Sequence, residues 1–178
     1  TQGELQQLEK AAERIDARPE SPGADGAEAL EADVRARLAD EPFFASPPHD
    51  LRRAAGGKPL AVLFETTHCA PCDELHRDGF TRPGIRALLE RFDVVRFPLG
   101  ARTGLTTPEG RTTTAQAWAT ELGVTFAPTI VFFGAEDGRE VFRIDAYLRP
   151  FHVESSLDYV ASGAYRREPS FQRYIQER

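Results

Sequence analysis

The chain has 178 residues, with 22 Lys and Arg against 28 Asp and Glu, a net charge of −6 at neutral pH. At 40% hydrophobic and 28% charged it can bury a core, which excludes a wholly disordered chain and a disulfide-stapled miniprotein. No apolar run approaches the roughly 18 to 20 residues that cross a bilayer, and the acidic balance excludes a phosphate-backbone binder, so we expect no transmembrane segment and no nucleic-acid partner.

Leu5, Leu8, Ala12 and Ile15 recur at helical steps within a Glu-, Gln-, Lys- and Arg-rich stretch, and Pro19, Pro22 and Gly23 end that helix. A second helix opens with Asp25 and Glu28, spaced as a capping box, and carries Leu30, Val34 and Leu38 on one stripe. Phe43, Phe44, Pro47 and Pro48 follow as a punctuated connector. Residues 1–57 therefore read as a helical extension, either a packed cap or a partner site. After Pro59 the run Leu60-Ala61-Val62-Leu63-Phe64 suits a strand buried on both faces. Helical spacing runs from Cys69 through Leu75, breaks at Gly79 and restarts under Thr81 with Ile85, Leu88 and Leu89.

Phe92 to Leu99 reads as a second strand. Gly100 to Thr114, with Gly104, Pro108, Gly110 and many threonines, reads as a long loop, either a specificity surface or a tolerated insertion. A helix over Ala115 to Leu122 stops at Gly123. Residues 129–146 then read as an antiparallel hairpin turning at Gly134 to Gly138. Pro150 starts a helix with Val153, Leu157 and Val160, and the tail adds Phe171, Tyr174 and Ile175. Because strand-helix-strand units close right-handed with parallel strands, this order predicts an α/β fold with a mixed four-stranded sheet, order 2-1-3-4, and helices on both faces. The domain is expected over 58–162, with 163–178 as a tail carrying a short helix.

The two cysteines, Cys69 and Cys72, stand where a buried strand gives way to a helix. Pro71 fits a first helical turn, so Cys69 is expected at the helix start, where free backbone donors and the positive dipole end favour a thiolate. Lowering a thiol pKa from about 8.5 to about 7 raises the thiolate fraction roughly 16-fold, and a Brønsted slope near 0.45 takes back roughly fivefold in nucleophilicity. The net gain is about threefold, and the larger benefit is a better leaving group. Cys72, one turn in, is placed as the resolving thiol.

A structural disulfide across so small a loop stabilises by only about 1.9 kcal/mol on the loop-entropy formula, a poor reason for this spacing. Copper or zinc binding is the alternative, because His68, Cys69, Cys72 and His76 are soft ligands close in sequence, Cys72 and His76 on one helix face. Against it, a CxxC at a helix start directs its sulfurs toward each other, so no metal is expected there. Two thiols carry the electrons themselves and imply no cofactor.

The strand-Cys69-Ala70-Pro71-Cys72-helix unit, with Ala127-Pro128-Thr129 entering a later strand, resembles the thioredoxin superfamily over residues 58–162. The resemblance implies a three-layer thioredoxin-like sandwich and thiol-disulfide exchange with thiol- or disulfide-bearing protein partners. It implies that Pro128 is a cis-proline against the redox pair and that Ala127 presents its backbone to an extended substrate; from the residues alone, Pro128 also reads as a trans proline opening an edge strand. Pro71 joins them as a substrate-facing residue.

Cys72-Asp73-Glu74-Leu75-His76, the threonine-rich stretch and the tail Tyr165-Arg166-Arg167-Glu168-Pro169-Ser170-Phe171 are similar to the extracytoplasmic SoxW-type thioredoxins of sulfur-oxidation clusters. That likeness implies a periplasmic or otherwise extracytoplasmic reductant fed by a membrane electron donor. A chain beginning at Thr1 with no Met agrees with a signal peptide already removed. Ala70 and Pro71 add no positive charge that would stabilise the reduced form, which also leans toward a reductant. The range at stake is about 150 mV, or roughly 7 kcal/mol.

Two positions depart from the cytosolic pattern. Leu63 stands where those thioredoxins carry a buried Asp, leaving Glu65 or water to move protons at Cys72, and His68 replaces the Trp before the first Cys. A protonated His68 would stabilise the thiolate; it reads equally as an exposed loop histidine.

Overall fold

In the computed structural model the described residues are 41–146 and 149–178. The two leading helices expected over Leu5 to Leu38 lie outside them. Among the described residues the strands are β1 (His49–Asp50), β2 (Leu60–Glu65), β3 (Asp93–Pro98), β4 (Gly104–Thr106), β5 (Thr112–Thr114), β6 (Thr129–Phe133) and β7 (Glu140–Ile144). The α-helices among them are α1 (Ala70–Glu74), α2 (Pro83–Leu89), α3 (Ala115–Glu121), α4 (Pro150–Ala161) and α5 (Phe171–Gln176).

The main sheet runs β3-β2-β6-β7, which is the order 2-1-3-4 expected from the sequence. β2 pairs parallel with β3, Val62 opposite Val95, and antiparallel with β6, Val62 opposite Val131. All six residues of β2 are buried, because this strand is central and helices cover both of its faces. Alternation splits the core in two. Ala61 and Leu63 face Leu75, Phe80, Ile85, Leu89, Val153 and Leu157, from α2, α4 and the segment that follows α1. Leu60, Val62 and Phe64 face Leu51, Leu105, Ala115, Trp118 and Phe133. The result is the three-layer α/β sandwich.

Two local differences from the sequence expectation have physical causes. The stretch 100–114 is not a loop: β4 and β5 form a hairpin, joined by β1 into a second sheet of order β1-β4-β5. Threonine is β-branched and favours strands, Leu105 and Thr107 are buried, and Gly110 takes the turn with φ +89°. The helix from Cys69 does end at Gly79 as expected, but its last turn over Leu75–Gly79 is a π-helix rather than an α-helix, Phe80 donating its backbone N–H to the Leu75 carbonyl at 2.9 Å.

Candidate functional site

β2 delivers the chain into the site. Its last residue is Glu65, and after Thr66 and Thr67 the exposed His68 turns the backbone with φ +54°, a left-handed conformation uncommon for a residue with a Cβ. Cys69 then caps α1 from an extended conformation, and its Sγ accepts the backbone N–H of Cys72 at 3.1 Å. Pro71 sits in the first turn, where its missing N–H leaves no hydrogen bond unmade. Cys69 and Cys72 are joined as a disulfide, S–S 2.10 Å, the first 8% and the second 3% exposed. Ala70 and Pro71 beside them are exposed.

The turn before β6 meets the pair from across the sheet. The Ala127–Pro128 peptide is cis, and the Ala127 carbonyl oxygen lies 3.7 Å from Cys69 Sγ. Once the disulfide is reduced, that oxygen is within reach of the Cys69 thiol proton. Pro128 is buried and Ala127 half-buried. Thr129, fully buried, donates its hydroxyl to the Phe126 carbonyl at 2.9 Å and ties the turn down. Phe126, one residue before Ala127, stands 67% exposed, an apolar surface that no periodicity in the sequence marks.

Beneath the redox helix is a feature the sequence reading missed. Glu65 is 1% exposed, and its Oε1 is 2.6 Å from His76 Nε2. The opposite ring nitrogen, Nδ1, is 2.6 Å from Oε2 of Glu41. Burial alone would keep the imidazole neutral, but the hydrogen bonds to Glu41 and Glu65 and their negative charges together outweigh it and raise His76 to about 9. Glu65 Oε2 is enclosed without a hydrogen-bond partner among the described residues.

The four soft ligands of the metal alternative are therefore not brought together. The sulfurs are bonded to each other, both His76 nitrogens are taken by carboxylates, and His68 is exposed; among the described residues no group of three His, Cys, Asp or Glu is arranged to hold a metal ion.

Residues 48–161 match the family model of the thioredoxin-like domain, well over half the chain. The chain belongs to the thioredoxin-like family. Among solved structures it is similar to a thioredoxin-fold protein from Helicobacter pylori, at 15% identity and TM-score 0.68 over 79% of this chain and 94% of that one, a likeness of fold. A thioredoxin from Thermus thermophilus is 28% identical, with TM-score 0.49 over 62% of this chain and 80% of that one. No curated protein matches. A thioredoxin-like domain with paired cysteines at the start of its first helix fits thiol-disulfide exchange. No helix among the described residues is long and apolar enough to cross a membrane.

Proposed function

We propose that this protein is a thiol-disulfide oxidoreductase that reduces disulfides in protein partners. The observation that carries the reading is the Cys69–Cys72 pair at a helix start with the Ala127 carbonyl 3.7 Å from the first sulfur. In the reduced protein the Cys69 thiolate is favoured by the Cys72 N–H pointing at it. It attacks one sulfur of the partner disulfide, forming a mixed disulfide and releasing the first partner thiolate, which takes a proton from solvent. Cys72 then gives up its proton, Glu65 being the nearby acceptor, and its thiolate attacks Cys69 Sγ. The mixed bond breaks, the second partner thiolate leaves, and two electrons have passed from this chain to the partner.

Ala127 would hold the partner strand through its backbone, with Pro128 and Pro71 as the walls and Phe126 as an apolar contact. His68, when protonated, would add a positive charge on the sequence side of Cys69. The SoxW likeness extends this proposal to an extracytoplasmic reductant recharged by a membrane electron donor. Replacing Cys69 by Ser is expected to abolish reduction of insulin disulfides, and full activity in that variant ends the proposal. A reduction potential near that of thioredoxin, about −270 mV against a glutathione series, supports the reductant direction, whereas one near the DsbA value of about −120 mV reverses it.

A further inference from the structure

The Glu41–His76–Glu65 cluster lies one helical turn beyond Cys72, and disulfide exchange as drawn above uses only one of its members. A neutral imidazole has a single N–H, so a ring bonded at both nitrogens to carboxylates either carries a second proton or faces a protonated carboxyl. The three groups thus share a proton. They are enclosed, with side-chain exposures of 12% for His76, 7% for Glu41 and 1% for Glu65. The Phe80 ring stands edge-on to His76 at 5.1 Å and Phe44 lies at 6.2 Å. Along β2, Glu65 continues the row of Ala61 and Leu63, which packs against Leu75. Its carboxylate is bonded to His76, next to Leu75 in the chain and one turn beyond the buried Cys72. One oxygen is held by His76; the other, Oε2, is enclosed with no hydrogen-bond partner among the described residues.

We propose that His76, itself anchored by Glu41, is the positioning residue that holds Glu65 under the redox helix with Oε2 free to take the Cys72 proton. The inference rests on the oxidoreductase reading and deepens it. Transfer of the proton from Cys72 Sγ to Glu65 Oε2 leaves a thiolate on Cys72, and the shared proton on His76 can move toward Glu41, so charge is redistributed inside the cluster without adding net charge to it beyond the one proton received. Other titratable groups stand on the elements packed near His76. Arg96 of β3 lies over the Phe44 ring at 4.7 Å, Asp78 of the π-helix binds Arg82, and on α4 the His152 ring lies beside Phe151 while Glu154 borders Gly84.

The test uses the full reduced chain and an aromatic disulfide whose released thiolate absorbs visibly. The first thiolate reports attack by Cys69 and the second reports attack by Cys72. At pH 6.5, His76→Gln is expected to slow the second release about tenfold and Glu65→Gln about 10- to 100-fold, with the first release unchanged. Near pH 9.5, above the ordinary thiol pKa of about 8.5, both variants should converge on the parent rate. The double variant should be no slower than Glu65→Gln alone, because the two act through one oxygen. Glu41→Gln, which keeps volume and removes charge, should slow the second release about threefold. A second release in His76→Gln equal to the parent at pH 6.5, slowed equally at every pH, or additive with Glu65→Gln overturns the proposal, and an undisturbed Glu41→Gln overturns the anchoring role. A parent chain that gives no first release instead refutes the oxidoreductase reading itself.

Discussion

The two faces of the main sheet are built from different materials. On the face of Leu60, Val62 and Phe64 the contacts are apolar, with Trp118 stacked on Phe133 at 5.4 Å and edge-on to Phe64 at 6.2 Å. On the face of Ala61 and Leu63 the row ends in Glu65, and a buried Glu–His–Glu cluster takes the place of another aliphatic residue. A buried ion cluster is weak evidence for stability, since desolvation offsets most of its Coulomb attraction. Both faces carry a large apolar cluster, and the second also accepts a polar insertion at the end nearest the disulfide.

That division can be broken from either side. Trp118 is 2% exposed, and Trp118→Ala should cost about 3–5 kcal/mol by urea unfolding while leaving the reduction potential of the pair unchanged. A shift in potential as large as that of a cluster variant would mean the faces are not independent.

On the other face the expected signature is pH dependence. His76 moves from the ordinary 6.5 in the unfolded chain to about 9 in the folded one, so the folded state binds the extra proton more tightly. The contribution is complete below about pH 6.5, declines as pH rises, and is gone above about pH 9. It is on the order of 3 kcal/mol when complete, less whatever solvent screening removes. Urea midpoints at pH 6, 7.5 and 9.5 should fall more steeply for the parent chain than for His76→Gln, and parallel slopes would sink the assignment.

The apolar core of both faces was largely legible in the sequence, whereas the polar cluster on one and the second sheet beside the other were not. A continuous run such as Leu60 to Phe64, and a hairpin split by Gly134 to Gly138, fix strand order through burial and chirality alone. The Cys69–Cys72 spacing points to its chemistry by itself. Glu65 was visible only as the acid nearest a missing Asp. Its partnership with His76 was hidden because the i,i+4 spacing of Cys72 and His76 reads as a ligand pair, while the real partner, Glu41, lies in a segment without periodicity. The second sheet was hidden because its strands are two or three residues long, and its first partner, His49–Asp50, follows a pair of prolines.

Smaller perturbations probe how the apolar face is closed. Gly138, at φ +63°, lies in the β6–β7 turn, and a Cβ there would meet Pro108 Cβ at 2.8 Å, next to the β4–β5 hairpin. Gly138→Ala is expected to cost about 1–3 kcal/mol, from the left-handed backbone and the contact together. An unchanged midpoint would show that the hairpin yields freely and adds little to that face.

The least of these effects concerns α3, which carries Trp118. Thr114 caps it, the hydroxyl accepting the Ala117 N–H at 3.3 Å, and the same residue ends β5. Thr114→Ala should cost about 1 kcal/mol, while Thr114→Ser, which keeps the acceptor but gives up a β-branched methyl, should recover most of it. If Ser restores nothing, the residue acts through its strand pairing with Gly104 rather than through the cap, and the helix bearing the main aromatic anchor is then held by the second sheet.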